Sequence, residues 1–243
     1  MSFNIANARG NNDNFFDTQP KEKIEWGLNW LSAVIHYHNI DVICLNEADS
    51  NSIRTHGIDT AKYIATKVCY NHIINEKLFS LPAILEVGNV VISRYPLKFN
   101  MYRQYGDKIV DQARNAFKSF LDFDVMFANK TSLNIVQTHL DNQSEAIRRE
   151  QTKKLRSHLE TKNHPFVLLG DFNTTPGNES FKHLVNNNFV SNPYLGSPTY
   201  PSGMPTTQID YILTSQGLSI ANYHTIRNRI SDHLPVIGDI TID

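Results

Sequence analysis

The sequence predicts an α+β fold: two mixed β-sheets packed face to face, with helices on the outside. Three observations carry this. Short apolar runs that read as strands recur along the whole chain. Some neighbouring runs are joined as hairpins and others through an amphipathic helix, so the chain is neither purely antiparallel nor purely alternating. No repeat, low-complexity tract or linker interrupts the 243 residues, so a single domain over 1–243 is expected.

The elements follow in order. Ser2-Phe3-Asn4-Ile5 reads as a strand already under way. Ile24, Leu28, Leu31 and Ile35 fall three and four residues apart after Pro20, which predicts a helix that stops near Asn39. Residues 40–46 form an apolar run typical of a buried strand, and 59–68 place Ala61, Ile64, Ala65 and Val68 on one helical face. A short strand is expected over 89–93, ended by Arg94-Tyr95-Pro96. Leu121, Phe123, Val125 and Phe127 alternate at period two, and 133–138 is the expected hairpin partner across a turn near Asn129-Lys130-Thr131. A helix is expected over 144–161, a doubly buried strand over 166–169 and a short helix over 179–186. The last strands are expected over 208–213 and 234–240. Six prolines and glycines between 193 and 205 mark a loop before them.

Composition narrows the class. Hydrophobic residues make up 40% and charged residues 19%, a globular rather than a disordered balance. No apolar run approaches the roughly 18 residues of a membrane-crossing helix. Lys and Arg number 23 against 24 Asp and Glu, so net charge does not single out a nucleic-acid binder, and a local basic patch stays open. Cys44 and Cys69 are too few for a disulfide framework and lack zinc-type spacing, so both are expected to be buried or inert thiols. No signal peptide is visible, yet the abrupt opening in a strand leaves two locations open: cytoplasmic, or secreted with an upstream signal removed.

Several apolar runs end in chemically capable residues. Leu45-Asn46 leads to Glu47, Gln137-Thr138 to His139, and Leu169-Gly170 to Asp171 and then Asn173. Asp210 interrupts Ile209 and Tyr211, and Ser231-Asp232-His233 precedes the final strand. Any one of them alone is more often a solvated turn residue or a helix cap. Asp210 is harder to dismiss, because a carboxylate inside an apolar strand needs a partner such as a histidine. As a set they offer hard oxygen ligands without a cysteine cluster, which favours Mg²⁺, Mn²⁺ or Ca²⁺ over zinc. Asparagines and histidines add donors for phosphate oxygens, a combination suited to phosphate-ester hydrolysis.

Seven motifs stand in a familiar order: Ser2-Phe3-Asn4-Ile5, Asp41 through Glu47, Gly88 through Pro96, Thr138-His139-Leu140-Asp141, Gly170-Asp171-Phe172-Asn173, Ile209-Asp210-Tyr211-Ile212 and Ser231-Asp232-His233. Together they resemble the endonuclease/exonuclease/phosphatase superfamily with its DNase-I-like fold, and its small bacterial metal-dependent hydrolases in particular. The resemblance implies a four-layered α/β sandwich and a Mg²⁺-dependent phosphoester hydrolase, with Mn²⁺ or Ca²⁺ as alternatives. It implies Glu47 as principal metal ligand, with Asn4 and Asp232 beside the metal. It implies that Asp171 orients or deprotonates the attacking water and that Asn173 and His139 hold the phosphate. His233 would stabilise the transition state or act as base, and Asp210 would fix its tautomer; the proton acceptor, Asp171 or His233, stays open. Arg114 falls where many members place an arginine near the substrate, with an ordinary surface arginine as the plain alternative.

Ala6 and His139 depart from the AP endonuclease pattern, which has an acidic residue and a tyrosine at those places. A nuclease acting on nucleic acid is the favoured reading over a lipid-headgroup or inositol-phosphate hydrolase, and a non-catalytic binding module is the rival of a different class. For the lipid reading, 101–105 and 194–204 are the candidate apolar lips. The chain is expected to be a monomer.

Overall fold

The computed structural model describes residues 1–10, 18–81, 84–106, 118–185, 190–191 and 195–242. Two six-stranded mixed sheets stack face to face. The first has the strands β1 (Ser2–Asn4), β2 (Val42–Asp49), β3 (His72–Leu81), β4 (Leu85–Ser93), β11 (Leu218–Thr225) and β12 (Val236–Ile242), in the spatial order β11-β12-β1-β2-β4-β3. The second has β5 (Leu97–Gln104), β6 (Ser119–Met126), β7 (Ser132–His139), β8 (Phe166–Asp171), β9 (Val190–Ser191) and β10 (Asp210–Ser215), ordered β5-β6-β7-β8-β10-β9. Each sheet has one parallel pair at its centre, β1 with β2 and β7 with β8, flanked by antiparallel strands.

Helices α1 (Lys21–Tyr37) and α2 (Thr60–Val68) cover the outer face of the first sheet, and α3 (Glu145–Leu159) and α4 (Glu179–Leu184) cover that of the second. The apolar stripes do the covering: Ile24, Leu28, Leu31 and Ile35 of α1 pack on Phe3, Ile43 and Leu45, while Leu155 and Leu159 of α3 pack on Phe120, Val136 and Leu168. Between the sheets, Cys44 and Val91 meet Leu121, Phe123, Val125, Val167 and Ile212. The four layers of the expected sandwich are therefore present. Helix starts sit where short polar side chains accept the first free amides: Asp59 from Lys62 N–H and Ser144 from Ile147 N–H.

Four strands have no counterpart in the sequence pattern: β3, β5, β9 and β11. They are the four edge strands. An edge strand is partly solvated, so β3 and β5 mix polar and apolar residues without a clean alternation. Cys44 is buried, and burial pushes its thiol up to about 12, while Cys69 is exposed where the chain leaves α2 in a left-handed turn. Tyr105 corrects one of the candidate lips. It lies just past the end of β5, buried among Phe120, Leu155 and Leu159 with its hydroxyl on Thr138.

Candidate active site

Both parallel pairs point their C-terminal ends the same way, and loops leaving such ends are where ligand sites form in mixed and parallel sheets. Register places Asn4, the last residue of β1, beside Asn46 in the second half of β2, and His139 beside Asp171 at the end of β7 and β8. Asp210 opens β10 opposite Asp171. Side chains from both sheets thus meet at one end of the sandwich.

Asn4 ties the sheets together. Its carbonyl oxygen accepts from Ala6 N–H at 3.1 Å, which turns its amide nitrogen toward Asp171 Oδ2 at 2.9 Å and Glu47 Oε1 at 3.4 Å. Glu47 reaches the site through a β-bulge: the β2–β4 register slips between Leu45 and Ala48, and Glu47 has a φ of +53°. Asp171, 1% exposed, accepts from Asn173 N–H at 2.9 Å and from Asn173 Nδ2 at 3.1 Å. The two residues share a side through the turn that follows the strand. β8 ends at Asp171, and Asn173 turns back in a left-handed conformation of φ +49°.

His233 Nδ1 lies 2.9 Å from Asp210 Oδ2, and its Nε2 lies 3.9 Å from Asp171 Oδ2. Ser231 positions this loop by donating to Asn4 O and accepting from His233 N–H, and the Tyr200 ring lies 5.1 Å from the imidazole. His139 Nε2 contacts Lys118 Nζ and lies 3.4 Å from Asp171 Oδ2, while its Nδ1 is buried without a partner among the described residues. Asp232 shares Arg9 with Glu47: Nη1 is 3.6 Å from Glu47 Oε2 and Nη2 is 3.7 Å from Asp232 Oδ2.

A cavity of about 230 Å³ opens among Asn4, Glu47, Lys118, Asp171, Asn173 and His233, with Arg9 and Asp232 on its wall. A cavity of about 420 Å³ lies between the opposite ends of the sheets, but its lining is mostly aliphatic. Of the residues singled out from the sequence, Asn4, Glu47, His139, Asp171, Asn173, Asp210, Asp232 and His233 come together at this one end. Arg114 lies outside the described residues. Arg9 and Lys118 were missed. Arg9 lies a few residues past the Asn4 motif and Lys118 immediately before β6, neither with a periodic signal to mark it.

Burial alone would raise the Glu47 and Asp171 carboxyls. For Glu47 it is outweighed by His139, Lys118, Arg9 and His233, and for Asp171 by His233, His139 and Lys118, so both are held below the ordinary range. His233 goes the other way: burial disfavours its charge, but Asp210, Asp171 and Asp232 hold it up to about 10. Burial lowers Lys118 despite Glu47 and Asp171 nearby. At neutral pH the site therefore pairs an ionised Asp171 with a charged His233.

The donor set fits a hard divalent cation. Glu47 and Asp232 both flank the Arg9 guanidinium on the cavity wall, which puts two hard carboxylate donors beside one positive group. Asp171, Asp210 and His233 also bring one ligand atom each within 4.8 Å of one another. There Asp210 already holds His233 Nδ1, which leaves Nε2, 3.9 Å from Asp171 Oδ2, as the ring nitrogen that would serve a metal.

Residues 1–233 match the model of the Endonuclease/Exonuclease/phosphatase family. Among solved structures, an endonuclease/exonuclease/phosphatase from Beutenbergia cavernae DSM 12333 is similar at 21% identity and a TM-score of 0.69, covering 99% of this chain and 70% of that one. A mannosyl-6-phosphatase of Bacteroides thetaiotaomicron VPI-5482 is similar at 14% identity and 0.73, covering 99% and 98%. The human Nocturnin catalytic domain with bound sulfate anion is similar at 16% identity and 0.65, covering 90% and 87%. These likenesses show a common fold. No curated protein sequence matches the chain.

Proposed function

Because the chain belongs to the endonuclease/exonuclease/phosphatase family, we propose that it is a Mg²⁺-dependent phosphodiesterase that cleaves nucleic acid by in-line attack of water. The observation that carries this reading is the meeting of Asn4, Glu47, Asp171, Asn173, Asp232 and His233 around a single cavity, with His139 and Asp210 against them from behind. Glu47 and Asp232 are the residues assigned to the metal, with Mn²⁺ or Ca²⁺ as possible replacements. Asn4 keeps Glu47 and Asp171 in register through its amide. A divalent cation held by these residues would neutralise charge on the phosphoryl oxygens.

Asp171 is the group assigned to the attacking water. Its depressed proton affinity keeps it an acceptor at neutral pH, and Asn4 and Asn173 lock its orientation. Asn173 and His139 are assigned to the phosphate. The charged His233 faces the developing negative charge, held in place by Asp210. This division of charge supports Asp171 rather than His233 as proton acceptor.

One observation favours the alternative of a phospholipid substrate. Ile53, Leu81 and Ile84 are exposed apolar side chains at the same end of the first sheet as Glu47. Of the two candidate lips, 101–105 loses Tyr105 to burial, while in 194–204 Tyr200 packs on His233 but Leu195 and Met204 are exposed.

The direct test is hydrolysis of bis-p-nitrophenyl phosphate with Mg²⁺ or Mn²⁺, abolished by EDTA. Near-wild-type turnover in both Asp171→Asn and His233→Ala would sink the assignment. Plasmid DNA, RNA, sphingomyelin and inositol phosphates then separate the substrate classes. Steep loss of activity with rising salt marks the nuclease.

A further inference from the structure

We propose that Arg9 is a substrate-binding residue that couples the metal to the phosphate: it is the counter-cation of Glu47 and Asp232 while the metal is away, and the phosphate clamp once the metal has displaced it. The inference rests on the proposed function in taking those two carboxylates as the metal pair.

The backbone is shaped to deliver this side chain. Ala6, Asn7 and Ala8 have φ values of +45°, +49° and +59°, three successive left-handed residues with no glycine among them. Each is disfavoured by its Cβ, so the turn must be held from outside. Ala6 N–H is caught by Asn4 Oδ1 at 3.1 Å, and Gly10 N–H by Ile230 O at 3.0 Å. Asn7 Oδ1 accepts from Arg54 at 2.8 Å, and Arg54 is itself fixed on Asp49 by bonds of 2.7 and 2.6 Å. The effect of this supported strain is to reverse the chain directly after β1 and set Arg9 on the cavity wall, 11% exposed.

The guanidinium spans two carboxylates at 3.6 and 3.7 Å. Both distances exceed the roughly 3.2 Å limit of an N–H···O bond, so toward these two carboxylates it acts as a counter-charge rather than as a hydrogen-bonding fork. A divalent cation on the same oxygens would repel it. The cavity beside it is the space assigned to the phosphate, where a planar fork matches two phosphoryl oxygens. Arg9 thus opposes metal binding in the substrate-free protein and favours it when phosphate is present, and linkage makes the coupling reciprocal.

Calorimetry of Mn²⁺ binding to wild type, Arg9→Ala and Arg9→Lys, without and with inorganic phosphate, reads this without turnover. Without phosphate, Arg9→Ala should bind Mn²⁺ several-fold more tightly than wild type, and Arg9→Lys should stay near wild type. Phosphate should bind the Mn²⁺-loaded forms of both variants at least tenfold more weakly, with the coupling lost in Arg9→Ala. Equal Mn²⁺ affinity in wild type and Arg9→Ala, or equal phosphate affinity in all three, overturns the inference. Should Arg9→Ala fail to fold by circular dichroism, Arg9→Lys decides: wild-type phosphate affinity in that variant overturns it. A wild type that takes up no Mn²⁺ overturns both this inference and the proposed function. A wild type that binds Mn²⁺ and hydrolyses bis-p-nitrophenyl phosphate, with Arg9 variants unchanged, overturns this inference alone.

Discussion

Asp171 accepts from one backbone amide and from the side chains of Asn4 and Asn173, with the two histidines close by. Asp171→Asn keeps the shape but removes the acceptor charge and sets an amide against two donor side chains. We expect kcat on bis-p-nitrophenyl phosphate to fall by about 10³-fold, with the fold intact by circular dichroism. Glu47→Gln is expected to weaken Mn²⁺ binding by about tenfold or more in calorimetry, since a neutral amide replaces a charged ligand. Unchanged affinity would move the metal to Asp171, Asp210 and His233. These residues were legible because each stands at the end of an apolar run, where a polar side chain draws notice. Arg9 was not, since only the left-handed turn brings it back over β1 and β2.

Two elements carry constraints that no single residue explains. β8 runs tight against β7 at Gly170, where an added Cβ would stand 1.9 Å from Thr138 O at a φ of +136°. Gly170→Ala should therefore cost about 3 kcal/mol in urea unfolding and shift Asp171 with it. Helix α3 is tied to the second sheet through Asp122, which accepts from His158 and the Lys162 ammonium at 2.6 Å each and from Asn134 at 2.7 Å. Burial works against the Asp122 charge, but these donors outweigh it and hold its carboxyl well below the ordinary range. A depressed folded-state value stabilises above the unfolded value of about 3.9, and that stability is lost as pH falls toward the folded one. Asp122→Asn should cost about 3 kcal/mol near neutrality, and the gap from wild type should narrow below about pH 4. A gap independent of pH, measured by denaturation across that range, would rule the charge out as the cause.

At the scale of the whole molecule, the inter-sheet core is apolar except at the active-site end. There Asn46 donates to Asn89, Asn89 donates to Ser119, and Asn46 accepts from Asp171 N–H. Gln137 adds a bond to Leu45 O at 2.7 Å. This polar seam joins the two sheets at the place where their carboxylates must meet. Asn46→Ala leaves a buried amide and a buried carbonyl oxygen without these partners, so a loss of about 2–3 kcal/mol in urea unfolding is expected. Activity should fall further than stability alone accounts for. Wild-type turnover in that variant would show that the seam is not what aligns the site.

The central strands and the helix faces could be read from one dimension, because burial on a face imposes a period on the residues that form it. The edge strands could not, since solvent on one side relaxes that demand. The motif residues were chemically legible, and their order along the chain carried the family resemblance. Which way each one points was decided only in three dimensions, by the bulge at Glu47, the left-handed turn at Asn173 and the stacking of two separately hydrogen-bonded sheets. Those are long-range and backbone events, and a side-chain pattern along the chain does not encode them locally.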